Sequence, residues 1–432
     1  MVDDFKHRPF WWDDAALETR NLSESVENLP AKADILVIGA GYTGLSAALT
    51  LARASREVIV VDAEMPGYGC SARNGGLIGP SFHKLGLAGL TAAYGEDRAH
   101  AILRESMDSL AFLKHRIEME GIDCGLINKG RFCGAVRPKA YDALCRDAER
   151  LFRAVGRRFE PVSKADQHQQ IGSDYYHGGI VLPDDGHLQP AALLAGLFDR
   201  ARQAGARVFA PARVTKLETK PPGFTAHIAD RQIDCRNVVM ATNGYTEQQF
   251  SHFHRRVIPI RSGIIATEEL DPALIAELSP QGRGFVDSSR LVVYFRPSPD
   301  GKRIIFGGRV FERADRPQNY AADLRRTMVR IFPQLTEVRI SHAWSGTVAY
   351  TFDHTPHLGE HDGIHYAMGY CGSGVGRANY FGHKIALKLL GSHKGHTELD
   401  NLEFRSHPLY TGSTWFLPAY LRWHALADRV GF

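Results

Sequence analysis

At 432 residues the chain is longer than one compact core usually carries, so two intimately connected domains are expected. With 44% hydrophobic and 23% charged residues, and a net charge of +4 with no basic tract, it reads as an ordinary globular enzyme, and nucleic acid is not an expected partner. Its six cysteines (Cys70, Cys124, Cys133, Cys145, Cys235 and Cys371) are scattered without a CxxC pair, the pattern of reduced thiols in a cytoplasmic protein and not of a zinc site.

A polar leader, 1–30, carries Pro9, Trp11 and Trp12, and its sequence leaves open whether it packs on the body. Ile35 to Ala54 (ILVIGAGYTGLSAALTLARA) is nearly uncharged and long enough to imitate a membrane span, but its glycines divide it into a strand and a helix. Strand ADILVIG runs into Gly39-x-Gly41-x-x-Gly44 and then a helix with Leu45, Ala48, Leu49 and Ala52 on one face. Gly39 suits a tight turn, Gly41 lets backbone approach a pyrophosphate, and Gly44 lets helix and strand pack closely beside a phosphate-attracting helix N-terminus. Asp62 ends the next strand, about twenty residues on, where a carboxylate accepts hydrogen bonds from a ribose. A lone GxGxxG would mark only a turn, whereas strand, helix and acid together point to a dinucleotide, with NAD and FAD both open.

Residues 67–76, GYGCSARNGG, follow at once and cannot build a core. A site for NAD alone has no evident use for a second glycine-rich polar turn after the acid, whereas a flavin does. Residues 85–175 are mostly helical in period, interrupted by GLINKGRFCGAVR, which looks like a hairpin. An α/β pattern returns with helix LLAGLFDRARQAG and strands ARVFAPARVTKLETK, FTAHIAD and NVVMATNGY. Residues 246–340 mix strands (RLVVYFRPS, RIIFGGRV) with a helix near AADLRRTMVRIF, and IHYAMGYCGSGVGRANYFGHKIALKLLG repeats strand, glycine turn and helix. Alternation without a clean boundary implies interleaved domains.

With Asp62, GYGCSARNGG and GYCGSGVGRANYFG, the chain resembles the D-amino-acid-oxidase superfamily over roughly residues 9 to 395, closest to the gamma-glutamylputrescine-oxidase-like branch of FAD-dependent amine oxidoreductases. Branch-specific marks are GxGxSxRNGG and W-x-G…T-x-D-x-x-P-x-x-G, here Trp344, Gly346, Thr351, Asp353, Pro356 and Gly359. The resemblance implies an α/β fold. A Rossmann-like FAD-binding domain of the glutathione-reductase type (31–84, 176–245 and 341–395) would be interleaved with an α+β substrate domain carrying a mixed or antiparallel sheet (85–175 and 246–340), followed by a C-terminal extension, 396–432. It implies FAD contacts at Gly39, Gly41, Tyr42, Thr43, Gly44, Asp62 and Ala63, and from the loop at Gly69, Ser71, Arg73, Asn74, Gly75 and Gly76. Further contacts are implied at Val214, through its backbone, at Ala241, Thr242 and Gly244, at Gly346, and at Gly369, Gly372, Ser373, Gly374 and Val375, where a helix end would stabilise charge on a reduced flavin.

Departures from the family pattern carry their own expectations. Val348 stands where some sarcosine-oxidizing relatives attach flavin through a cysteine, which favours noncovalent FAD. Ile305 aligns near a lysine that promotes their reaction with oxygen. Gly346-Thr347-Val348-Ala349 replaces the segment in which amino acid oxidases carry an arginine for the substrate carboxylate. No catalytic residue is evident. Tyr294, Arg296 and Tyr350 are candidates for the substrate wall, and strand alternation is taken to set Tyr294 and Arg296 on opposite faces, one of them towards the flavin. Arg309 is equally a structural ion-pair partner, and His83 and the pairs His252/His254 and His354/His357 read as ordinary histidines, so no metal is expected. The expected activity is FAD-dependent oxidation of the C–N bond of a primary or secondary amine to an imine, then hydrolysis, with oxygen as acceptor. A dehydrogenase using a quinone or electron-transfer partner and a noncatalytic FAD-binding protein are the alternatives. Oligomeric state is left open.

Overall fold

The structure is a computed structural model that describes residues 4–82, 84–309 and 317–430, with side chains described except at Arg309 and 424–430. His83 and the side chain of Arg309 therefore lie outside the described residues.

Two sheets organise the chain. In the first, Lys32–Ile38 lies at the centre, with Val58–Val61 and Arg207–Phe209 on one side and Arg231–Met240 and Ile364–Met368 on the other, all parallel. Ile35, Leu36 and Val37 are wholly buried, as a parallel strand covered on both faces requires. A hairpin, Val214–Lys220 with Gly223–Ile228, extends along Arg231–Met240, and His357–His361 closes the far edge antiparallel to Ile364–Met368. The strand order reverses between Lys32–Ile38 and Arg231–Met240. At such a switch point the outgoing connections part and leave a crevice beyond the strands' carboxyl ends.

The second sheet runs Ile340–Tyr350, Ile258–Thr267, Ile304–Arg309, Val293–Pro297, Gly284–Asp287, Arg131–Gly134, Gly179–Leu182, Glu160–Val162. Every pair is antiparallel except Gly284–Asp287 with Arg131–Gly134, so the sheet is mixed. The fold is thus α/β, a Rossmann-like sheet joined to a second mixed sheet. Gly179–Leu182 and Ile340–Tyr350, grouped in the sequence with the dinucleotide segments, pair here in the second sheet. The hairpin expected in GLINKGRFCGAVR does not form. Its single strand, Arg131–Gly134, finds both partners far along the chain, at 284–287 and 179–182.

Helix Tyr42–Arg53 packs on the first sheet between Pro190–Gln203 and Gly374–Leu389. The last of these contacts is unusually close: a Cβ on Gly382 would stand 2.3 Å from the Thr43 carbonyl oxygen. Glu96–Met119 lies against Gly374–Leu389, with Ile102, Leu110 and Leu113 in the same core as the glycine-motif helix. The leader packs on the body: Phe10 and Trp11 are buried, and Lys6 exchanges backbone hydrogen bonds with Ser341 and Ala343. Among the described residues no helix is long and apolar enough to cross a membrane.

Candidate functional site

The glycine turn sits at the switch point. Ile38 and Met240 are paired neighbours, so Gly39 and Ala241 leave adjacent parallel strands side by side, and the Ala241 N–H donates to the Ile38 carbonyl at 2.8 Å. Gly39 has φ +109°, and a Cβ there would lie 2.9 Å from the Ala241 carbonyl oxygen. A Cβ on Gly44 would stand 1.8 Å from the Gly39 carbonyl oxygen, so only glycine lets helix Tyr42–Arg53 begin where it does. Gly41, at its N-cap, offers no side-chain cap, which leaves the N–H groups of Thr43 and Gly44 for an external anion. Tyr42 and Thr43 turn their side chains inward: the Tyr42 hydroxyl donates to the Pro190 carbonyl at 2.8 Å, and Thr43 Oγ1 is 2.7 Å from the Tyr370 hydroxyl.

Asp62 closes this turn from the next strand. Its Oδ2 accepts the Ala40 N–H at 2.7 Å and its Oδ1 the Glu64 N–H at 3.1 Å. Burial raises its pKa, while these two N–H groups favour the carboxylate. A carboxylate has lone pairs beyond two acceptor bonds, so its chemistry still suits a ribose hydroxyl. Ala63 follows, half-buried.

The loop 67–76 folds over this turn. Ser71 Oγ accepts the Tyr42 N–H at 3.0 Å and would be 3.0 Å from a Cβ on Gly41. Asn74 ties the loop to itself, donating to the carbonyls of Cys70 and Ser71 while its Oδ1 accepts the Gly76 N–H at 2.8 Å. Three consecutive carbonyls are then pinned from outside. Trp344 Nε1 donates to Arg73 O at 2.8 Å, Trp11 Nε1 to Asn74 O at 2.8 Å, and Arg296 Nε to Gly75 O at 3.0 Å. Arg73 is itself held, its Nη1 donating to the Ser345 carbonyl at 3.2 Å and its guanidinium lying 4.7 Å from the Trp12 ring and 4.8 Å from the Tyr68 ring. Gly69 lies against Tyr245, whose hydroxyl accepts the Thr347 N–H at 3.2 Å.

Arg296 therefore does not line a substrate wall. It is 1% exposed, stacks 4.8 Å from the Trp11 ring, and spends its other donors on Leu188 O at 2.7 Å and His187 Nδ1 at 2.7 Å. Burial lowers its pKa to about 9, so it is charged at neutral pH. Nor do Tyr294 and Arg296 take opposite faces. Standing two apart on one strand, they share a face, and both meet Gly75: a Cβ there would lie 2.6 Å from the Tyr294 ring. The Tyr294 hydroxyl is 3.1 Å from Ser262 Oγ. Tyr350 lies apart from this pair, buried with Ile258, Ile260, Cys371 and Tyr410.

The C-terminal turn joins the same end of the first sheet. Asn243 Oδ1 accepts the Gly369 N–H at 2.9 Å, linking the turn after Ala241 and Thr242 to the one that precedes helix Gly374–Leu389. Cys371 and Gly372 have φ +52° and +87°, and Ser373, at the N-cap, makes no side-chain cap above Gly374 and Val375. Gly244 and Gly346 are close-approach positions, a Cβ on the first lying 3.1 Å from Thr347 and on the second 3.3 Å from Arg73. Val214 opens its strand, buried, with its carbonyl accepting from Gln249 Nε2 at 3.0 Å. The structural partners that sequence reasoning missed are Trp11, Tyr245, Asn243 and His187. The sequence marks Trp11 only as part of the leader, and nothing in the spacing marks Tyr245, Asn243 or His187. His357 pairs with Asp353 at 3.0 Å and stacks on Phe404, and among the described residues no cluster is arranged to hold a metal ion.

The sequence pattern of the family described as DAO, FAD dependent oxidoreductase, matches residues 34–387. The chain is 34% identical over 408 residues to the probable oxidoreductase OrdL of Rhizobium meliloti (strain 1021), covering 92% of each. It is 30% identical over 403 residues to the gamma-glutamylputrescine oxidoreductase of Escherichia coli (strain K12), covering 92% of this chain and 93% of that one. Among solved structures, glycine oxidase from Geobacillus kaustophilus superposes with a TM-score of 0.71 at 20% identity, over 88% of this chain and 99% of the other. At that identity the likeness speaks to the fold alone.

Two predictions follow from this geometry. Gly44→Ala should lower the urea midpoint of the apoprotein, because strand and helix must part, whereas Gly41→Ala meets only a rotatable Ser71 hydroxyl and should keep the midpoint while weakening FAD binding, read by flavin fluorescence. Equal midpoints for the two variants would contradict this account. The second concerns His187, which burial and the Arg296 charge push from its ordinary 6.5 down to about 3. Between those values the unfolded chain binds the proton and the folded chain does not, so stability falls as pH falls, by up to about 1.4 kcal/mol per pH unit. In urea titrations at pH 6 and pH 4.5, His187→Gln should show a correspondingly shallower loss than the parent, and identical losses would remove His187 from the balance.

Proposed function

Because the chain belongs to the DAO family of FAD-dependent oxidoreductases, which act on amine C–N bonds, we propose that its substrate is a primary or secondary amine whose reacting carbon bears no carboxylate. The product is an imine that water hydrolyses to a carbonyl compound and an amine. The observation that carries this reading is the 67–76 loop, pinned through three carbonyls above a glycine turn at the switch point, in a chain 30% identical to a gamma-glutamylputrescine oxidoreductase.

The residues present fit FAD. The cradle at Gly39, Gly41 and Gly44 is space that any Cβ would fill, Asp62 offers a carboxylate, and two helices present N-termini without side-chain caps. The first-turn N–H groups of Tyr42–Arg53 would hold diphosphate, Asp62 the ribose, and Ser71 to Gly76 with the Gly372–Val375 turn the flavin end. When bound, FAD supplies the acceptor for two electrons from the substrate carbon. The chain's own part is to fix the loop, exclude water and present the amine in register. Arg73, Trp12 and Tyr68 brace one another, so Arg73 is not free to serve as a carboxylate anchor. Thr347 and Val348 supply no charge in its place.

Dioxygen is the proposed acceptor. Ile305, 2% exposed in the core and aligned near the lysine that promotes reaction with oxygen in sarcosine-oxidizing relatives, favours a second reading in which a quinone or an electron-transfer partner reoxidises the flavin. FAD is held without a covalent bond: Val348 is a hydrocarbon, and the Cys371 thiol is buried, its pKa raised to about 11 by burial, with its Sγ 3.2 Å from the Gly369 carbonyl.

Acid precipitation should leave a colourless pellet and a yellow supernatant, and colour retained in the washed pellet would show covalent attachment. Flavin reduction followed anaerobically with glycine, D-alanine, sarcosine, putrescine and gamma-glutamylputrescine tests the substrate class. An amine without a carboxylate on the reacting carbon should exceed glycine and D-alanine in the ratio of limiting reduction rate to dissociation constant by tenfold or more, since an unpaired carboxylate costs several kcal/mol to desolvate, roughly. The opposite order would make the protein an amino acid oxidase, and no reduction by any amine or amino acid would favour a binding role.

A further inference from the structure

Resting on the amine reading, we propose that a cavity beside Phe82 is an anion subsite that takes a carboxylate at the end of the substrate remote from the reacting C–N bond, held by Arg157 and Arg377. The cavity encloses about 130 Å³ and is lined chiefly by Phe82, Leu103, Met107, Leu151, Val155 and Arg157. It lies where the chain leaves the pinned loop, since strand Leu77–Ile78 leads from Gly76 to Pro80, Ser81 and Phe82, which line it. Its walls come from helices Glu96–Met119 and Pro138–Val155, and their apolar side chains suit a short methylene stem.

Charge separates this cavity from an ordinary packing defect. Arg377, in the first turn of Gly374–Leu389, is 3% exposed. Its guanidinium lies 3.8 Å from the centroid of the Phe82 ring and donates to Ser106 Oγ at 2.9 Å, and among the described residues no carboxylate pairs with it. Arg157 donates to the Pro80 carbonyl at 3.0 Å and reaches Asp185 at 3.3 Å, but Asp185 is also 2.5 Å from Arg131. Arg131 and Arg157 therefore share the one carboxylate of Asp185, and Arg377 has none. Burial lowers the Arg377 pKa to about 10, the Arg157 charge acting in the same sense, so Arg377 keeps its proton at neutral pH. A buried cation without an acid partner is costly unless a ligand completes the pair, and paired guanidiniums match a carboxylate in shape as well as charge. The site differs from the one missing at 346–349: it would accept a carboxylate at the substrate's far end and leave the reacting carbon uncharged.

The test uses FAD-loaded protein with butyrate, and butyramide as its neutral isostere, titrated calorimetrically. Butyrate should bind saturably and at least tenfold more tightly than butyramide, and should weaken at least tenfold in Arg377→Gln and in Met107→Trp, which fills the cavity without touching the charge. No saturable butyrate binding to the parent, equal affinity for butyramide, or butyrate binding unchanged in either variant would overturn the site. No turnover is involved, so failure of this site is separable from failure of the amine reading. The kinetic arm compares N-succinylputrescine with N-acetylputrescine in anaerobic flavin reduction. At least a tenfold preference for the first in the ratio of limiting reduction rate to dissociation constant, collapsing in Arg377→Gln, supports the assignment to substrate, and equal values refute it while leaving amine oxidation in place.

Discussion

Three adjacent peptide carbonyls, those of Arg73, Asn74 and Gly75, each accept a hydrogen bond from a side chain remote in sequence, and the rest of the site depends on that arrangement. A loop with four glycines has many conformations to lose, and its own side chains supply only the local bonds of Asn74 and Ser71. The external donors come from the leader (Trp11) and from two strands of the second sheet (Arg296 and Trp344). One loop of the dinucleotide unit is therefore fixed by parts of the chain that belong to neither of its own strands. The two indole rings also meet edge to face at 6.0 Å, so the donors brace one another.

Buried arginines are used here in two ways. Arg296 lies among neutral acceptors, the carbonyls of Gly75 and Leu188 and the imidazole of His187, and every one of those bonds tightens the loop's seat. His187 can accept at Nδ1 because it stays neutral and directs Nε2 to the Gly282 carbonyl. Arg377 instead has one hydroxyl and one aromatic face, that of Phe82, which lines the cavity together with Arg157. A filled set of acceptors marks the first arginine as scaffolding, and a sparse set marks the second as awaiting a ligand.

Placement of the site follows from strand order. The glycine turn and the Ala241 turn leave neighbouring parallel strands where the order reverses, and the backbone approach is so close that a methyl group at Gly39 or Gly44 collides with a carbonyl. Helix Gly374–Leu389 is brought to the same end by its own close contact with Tyr42–Arg53 across Gly382. Two helix N-termini thus converge near one crevice through glycines placed far apart in the chain.

By itself the sequence determined whatever is local in period: strand, glycine turn, helix and acid from Lys32 to Asp62, the unusual polarity of 67–76, and the second glycine turn before Gly374. These were legible because steric demands at Gly39, Gly41 and Gly44 act over a few residues and leave a fixed spacing. Pairing over long range was not legible. Arg131–Gly134 looked like half of a hairpin, yet its partners lie at 284–287 and 179–182, since an isolated short strand carries no mark of which edge will take it. Tyr294 and Arg296 looked like substrate contacts, but only the tertiary structure decided that Arg296 is buried under the loop, because a guanidinium's role is set by which acceptors surround it, and Gly75, His187 and Leu188 reach it only once the sheets are joined.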